Sequence, residues 1–121
     1  MYFLKLNNGI EMPMLGFGTF QAQGEEYETS VLNAIKAGYR LIDTAEVYGN
    51  EEAVGNAIAK CGVSRSKLFI TTKVNFKSYD NTRVAVENSM KKLQTEYLDL
   101  VLLHWPFENV YSAWRDLEKL Y

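Results

Sequence analysis

The amino-acid sequence predicts an α/β fold of the (βα) barrel type, and three observations carry that prediction. Segments of strand character alternate with segments of helical periodicity, which implies a parallel sheet with helical crossovers. Four successive strands close at Gly18, Asp43, Lys73 and His104, at intervals of 25, 30 and 31 residues, each near the length of one strand-helix unit. A doubly wound dinucleotide-binding sheet would allow that spacing too, but it wants a GxGxxG turn after its first strand. Here "GFGTFQ" has Gln21 in the third glycine slot, and helical character does not begin until Glu25.

Each element follows from local pattern. "YFLKLNNGIEMPM" reads as a hairpin, two short extended runs flanking the Asn8-Gly9 turn signal. "MLGFG" is a short strand. "EEYETSVLNAIKAG" is a helix with Tyr27, Val31, Ala34 and Ile35 on one face and Gly38 as its stop. "YRLID" is a strand. "NEEAVGNAIAKCG" is a helix with Asn50 as N-cap, Val54, Ala57, Ile58 and Cys61 on one stripe, and Gly62 as terminator. "KLFITTK" is a strand, and "DNTRVAVENSMKKLQ" a helix capped by Asp80 with Val86, Met90 and Leu93 inward. "YLDLVLLH" has the near-continuous apolar character of a strand buried on both faces. "NVYSAWRDLEKLY" is a last helix, with Val110, Trp114, Leu117 and Tyr121 predicted to face inward.

Composition bounds the function. With 121 residues, 47% hydrophobic, the chain can build one modest core, and no linker or low-complexity stretch divides it. A net charge of −2 gives no reason to expect nucleic acid or an anionic membrane as partner. Cys61 stands alone, which excludes an internal disulfide or a cysteine metal cluster, and a cytoplasmic setting fits best. The N-terminal segment is too interrupted for a signal peptide, and no run approaches the roughly 18 apolar residues of a membrane span.

In a (βα) barrel the C-terminal strand ends carry the chemistry. Asp43, Lys73 and His104 close consecutive strands, and strands about 4.8 Å apart would bring all three within roughly 10 Å. Tyr48, on the loop after Asp43, can fold back over the same mouth. An ordinary phenol, with a pKa of about 10, is a reluctant acid at neutral pH. A lysine ammonium beside it stabilises the phenolate, and a carboxylate beside the lysine keeps the lysine charged. On this reasoning Asp43 holds Lys73, Lys73 tunes Tyr48, and His104 orients a reacting oxygen. Such a set can give a proton to a carbonyl oxygen but has no hydride, so a nicotinamide cofactor must supply it. Each residue alone has an ordinary structural reading: Asp43 as a turn cap, Lys73 as a solvated lysine, Tyr48 as a rim aromatic, His104 as a structural histidine. Their joint placement favours function. One histidine without clustered carboxylates is poor material for a metal site.

At these residues the sequence closely resembles the aldo-keto reductase family, through "NNGIEMPMLGFGTFQ", "YRLIDTAEVYGNEEAVGNAI", "LFITTKV", "SMKKLQTEYLDLVLLHWP" and "AWRDLEKLY". Within the family it is most similar to diketogluconate-reductase-like members. The resemblance implies a (βα)8 barrel of the TIM type closed by an N-terminal hairpin, and NADPH-dependent reduction of aldehydes and ketones. It places the catalytic tetrad on Asp43, Tyr48, Lys73 and His104, with Tyr48 as general acid. Cofactor contacts fall on Thr19, Phe20 and Asp43, and substrate contacts on Phe20, Tyr48, His104 and Trp105. Phe20 and the "KVNF" stretch stand where many members carry tryptophan, departures that bear on substrate preference.

A (βα)8 barrel typically needs about 250 residues. Residues 1–121 are therefore expected to form its N-terminal half, the hairpin plus four βα units, without strands five to eight. By resemblance those strands carry the grip on the pyrophosphate and adenosine. Open sheet edges invite pairing, so self-association or a complementing C-terminal half is expected. The alternative to a reductase is a truncated half-barrel that folds or associates without binding cofactor.

Overall fold

A computed structural model describes residues 1–21 and 26–121. The predicted helix start at Glu25 lies outside the described residues. The chain opens with a hairpin of β1 (Phe3–Lys5) and β2 (Glu11–Pro13), paired antiparallel with Lys5 opposite Glu11. Its turn is one residue longer than the Asn8-Gly9 signal. Gly9 N–H donates to the Leu6 carbonyl at 3.0 Å, so Asn7 joins Asn8 at the corner.

Four strands then form one parallel sheet in chain order: β3 (Gly16–Gly18), β4 (Leu41–Asp43), β5 (Phe69–Val74) and β6 (Leu100–Leu103). Between them run α1 (Glu26–Lys36), α2 (Glu51–Lys60) and α3 (Thr82–Lys92), and α4 (Val110–Leu120) follows β6. This is the partial (βα) barrel expected from the alternation. Gly38 and Gly62, placed as helix stops, have φ of +108° and +71°, a region open to glycine without steric cost.

The register contains the feature that matters most for the site. Gly18 is level with Asp43, but Asp43 is level with Thr71 and Lys73 with Leu102. Lys73 therefore stands two residues beyond the level of Asp43, and His104 two residues beyond the level of Lys73. Because side chains alternate with a period of two, the stagger preserves the face. Asp43, Lys73 and His104 all project from the face opposite Ile42 and Ile70.

The face with Ile42 and Ile70 packs against the helices. Val31 and Ile35 of α1, Val54, Ala57 and Ile58 of α2, Leu68, Ile70 and Leu93 make one closed core with Ile42. Full burial of a side chain such as Ile42 or Ile70 contributes about 1.5–3 kcal/mol. α2 and α3 approach so closely that a Cβ on Gly55 would lie 2.3 Å from the Lys92 carbonyl oxygen. Tyr27, Cys61 and Met90, predicted inward, are only half-buried.

Two predictions of local structure are corrected. Asp80 does not cap α3. It falls in a short 3-10 segment, Phe76–Asn81, and accepts a hydrogen bond from Asn109 Nδ2, while Asn81 stands at the cap position. In α4 the inward residues are Val110, Ala113, Leu117 and Leu120 rather than the set containing Trp114 and Tyr121, which are 57% and 91% exposed. Both sets satisfy helical spacing, and the small Ala113 is what fits against the α3 side.

Candidate active site

β4 ends on Asp43, and the buried Thr44 and Ala45 carry the chain inward before a short 3-10 turn, Glu46–Tyr48. That turn, closed by the Tyr48 N–H to Ala45 carbonyl bond at 3.1 Å, brings Tyr48 back over the strand ends. Lys73 projects from β5 with only 14% of its side chain exposed. Its Nζ donates to Asp43 Oδ1 at 2.5 Å and to the Thr44 carbonyl at 2.9 Å. The same ammonium lies 5.2 Å from the centroid of the Tyr48 ring. Asp43 and Lys73 are thus ion-paired, and Lys73 lies beside the ring of Tyr48.

His104 follows β6, and its backbone N–H extends the ladder to the Val74 carbonyl at 3.0 Å. Its ring meets that of Tyr48 edge-on, centroids 5.8 Å apart, and stacks on Trp105 at 5.3 Å. Burial lowers the His104 pKa from its ordinary value, and the Lys73 ammonium lowers it further, while Asp43 opposes both. Both effects favour the neutral form of the imidazole. Its Nδ1 is buried without a hydrogen-bond partner among the described residues.

The remaining predicted contacts divide. Phe20, 63% exposed, packs its ring 4.9 Å from that of Tyr48, and Trp105, 45% exposed, stacks on the far side of His104. Both line the same mouth. Thr19 is buried, and its carbonyl and hydroxyl both accept from Asn50 Nδ2. It shapes the strand end from within.

Asn50 is a correction to the cap prediction. It stands at the N-cap position of α2 and makes no side-chain capping bond. Its Oδ1 instead accepts from Thr44 Oγ1 at 2.8 Å while its Nδ2 reaches Thr19. One amide thereby ties the ends of β3 and β4 together, beneath the Thr44 carbonyl that receives Lys73. Glu46, Thr44 and Tyr79 also carry contacts around the site that sequence reasoning missed. Glu46 was visible only as an acid two residues before Tyr48, and Tyr79 only as a single aromatic in the polar run "KSYDN".

Taken as chemistry, the mouth brings together a phenol, an ion-paired ammonium and an imidazole. A carbonyl there could receive a proton from the phenol and a hydrogen bond from the imidazole.

The chain is similar to known proteins of one family. The family model of the Aldo/keto reductase family matches residues 14–121. The chain is 52% identical to the glyoxal reductase of Bacillus subtilis over 98% of its length, and 44% identical to the methylglyoxal reductase DkgA of Escherichia coli over 97%. Among solved structures, an aldo/keto reductase from Brucella melitensis superposes with a TM-score of 0.94 at 44% identity, covering 98% of this chain and 47% of that one. An aldo-keto reductase of Bombyx mori in complex with NADP superposes at 0.87 with 35% identity, over 98% of this chain and 47% of that one. The chain spans 44% of the length of the two bacterial reductases. It belongs to the aldo/keto reductase family.

Proposed function

We propose that this chain supplies the proton-transfer half of a nicotinamide-dependent carbonyl reductase, with Tyr48 as the acid. The observation that carries the reading is the placement of Lys73 Nζ, bonded to Asp43 and 5.2 Å from the Tyr48 ring. When the Tyr48 hydroxyl gives its proton to a carbonyl oxygen, the phenolate gains negative charge, and an ammonium 5.2 Å from the ring centre would favour that charge. His104, neutral because burial and Lys73 disfavour its charged form, does not compete as a strong acid. In this reading the ring carries its proton on Nε2, from which it orients the carbonyl.

The donor set fits a nicotinamide cofactor, for which NADPH is proposed. Asp43 commits one carboxylate oxygen to Lys73, its side chain is 33% exposed, and the exposed ring of Phe20 lies beside that of Tyr48. Together with Thr19 behind them, these residues would hold the nicotinamide-ribose end. When bound, the cofactor supplies the hydride that the carbonyl carbon receives. The aromatic groups Phe20, Tyr48 and Trp105 around His104 would bound the substrate pocket, and the names of the bacterial relatives point to small dicarbonyls of the glyoxal class. Residues 1–121 are proposed as the N-terminal half of a (βα)8 barrel, with the grip on the cofactor phosphates in strands five to eight.

A second reading, a half-barrel that binds no cofactor, draws support from Leu102, which is 40% exposed on the face that a closed barrel would cover. Incubation with NADPH and methylglyoxal, followed by cofactor absorbance, tests the first reading. Consumption of NADPH that Tyr48→Phe reduces by at least about 100-fold is expected, on the usual worth of a general acid. Undiminished turnover in Tyr48→Phe would remove Tyr48 as the acid. Calorimetric titration with NADPH tests the second reading, and micromolar binding would exclude it.

A further inference from the structure

Tyr48, Lys73 and His104 ride on three different segments, and backbone pairing ends where the strands end. Something other than the sheet must fix the loops relative to one another. The segment after β5 touches both of the others. On one side, Glu46 Oε2 accepts from the Asn75 backbone N–H at 2.8 Å, and Glu46 Oε1 accepts from Ser78 Oγ at 2.6 Å. On the other side, the Tyr79 hydroxyl donates to the Trp105 carbonyl at 2.6 Å and accepts from the Trp105 N–H at 3.0 Å.

We infer that residues 75–79 form a two-sided latch, in which Glu46 and Tyr79 are positioning residues that set Tyr48 and His104 against each other. Glu46 opens the short turn that Tyr48 closes, so holding its carboxylate at two points fixes the tilt of that turn. Trp105 follows His104 directly and stacks on its ring, so holding both polar groups of the Trp105 backbone fixes the imidazole plane. The bonds are suited to this role. Each Glu46 oxygen serves one donor, and charge-assisted bonds are roughly twice as strong as neutral ones. Tyr79 is 1% exposed, and a ring needed only to fill the core would not have to return its hydroxyl to the donor and acceptor of one residue. Thr82 Oγ1 in turn donates to the Tyr79 carbonyl at 3.0 Å, anchoring the latch to the start of α3. The latch is a geometric arrangement, and it rests on the reductase reading only for its effect on turnover.

The test uses the only histidine of the chain as reporter. Glu46→Ala, Glu46→Gln and Tyr79→Phe are compared by the proton shifts of the His104 ring, which feel the ring current of Tyr48, and by amide exchange. Glu46→Ala is expected to move the His104 resonances and to speed exchange of the Asn75 amide about tenfold or more. Glu46→Gln should leave both near the parent values, since its amide can accept from Asn75 and donate to Ser78. Tyr79→Phe should speed exchange of the Trp105 amide by a similar factor and move the same ring resonances. With methylglyoxal and NADPH, Glu46→Ala and Tyr79→Phe should lower kcat about tenfold or more while leaving KM nearly unchanged, and Glu46→Gln should restore it. Unmoved His104 resonances in folded Glu46→Ala and Tyr79→Phe would overturn the latch. If Glu46→Ala does not fold, Ser78→Ala removes one of the two donors, and unmoved resonances there count equally against it. Moved resonances without turnover in the parent chain would count against reductase activity of residues 1–121 alone and leave the latch standing.

Discussion

β5 and β6 are neighbours in one sheet, and the more apolar of the two is the less buried. β5 contains two threonines and a lysine, yet five of its six residues are buried. β6 is wholly aliphatic, and none of its four residues is buried. The helices repeat the contrast: Val54 and Ala57 of α2 are fully buried, whereas Trp114 and Tyr111 of α4 are 57% and 82% exposed. β5 has a strand on each side and helices over one face; β6 has β5 as its only strand neighbour among the described residues. Burial in a parallel sheet is conferred by neighbours, and composition only makes it favourable. Of the two buried threonines of β5, Thr72 donates to Glu51 Oε1 at 2.6 Å, whereas the Thr71 hydroxyl has no hydrogen-bond partner among the described residues.

The contrast can be broken at its strongest point by Ile70→Ala. Ile70 is fully buried in the middle of β5, and its truncation should cost about 2–5 kcal/mol in chemical denaturation. A loss under about 1 kcal/mol would mean that this core relaxes freely. Gly55→Ala comes next. Its new Cβ meets backbone atoms of Lys92 and Leu93, which cannot swing away, so a loss of about 1–3 kcal/mol is expected despite the gain in helix propensity. Leu102→Ala is the matching change in β6. With 40% of Leu102 exposed, it should cost less than about 1 kcal/mol, and a value equal to that of Ile70→Ala would erase the distinction between the strands.

The smallest effect joins the two strands at their ends. Lys73 of β5 and burial together lower the His104 pKa, so the imidazole should titrate below the ordinary value of about 6.5 in an NMR titration. The sign follows from linkage. Above about 6.5 the ring is neutral in folded and unfolded chains alike, and it has no effect on stability. As pH falls below that value, the unfolded chain takes up the proton first, and stability is lost down to the folded-state pKa. His104→Gln should flatten that part of the stability profile, and a titration midpoint above the ordinary value would refute the assigned environment.

Much of the site was legible because its members mark strand ends. Asp43, Lys73 and His104 each interrupt an apolar run with a polar group, and this period needs no knowledge of contacts. The α1 and α2 stripes were legible for the same reason, since Val31, Ile35, Val54 and Ala57 recur at helical spacing and are buried. The face of α4 was not. Its two possible stripes share Val110 and Leu117 and differ only in Trp114 and Tyr121 against Ala113 and Leu120, a choice that periodicity alone does not decide. Asn50 holds the predicted cap position, but Thr19 and Thr44 take its amide in place of a side-chain capping bond.

The sequence by itself determined the alternation of strands and helices, the family, and which side chains stand at the strand ends. These depend on local period and on residue type. Tertiary structure decided the rest: the two-residue stagger from Asp43 to Lys73 and from Lys73 to His104, the inward face of α4, and the bonds from Glu46 and Tyr79 that join the loops. Each depends on partners more than 25 residues apart in the chain, as in the 26 residues between Tyr79 and Trp105. Hydrophobic periodicity states that a side chain must be covered, but only the folded neighbours determine what covers it.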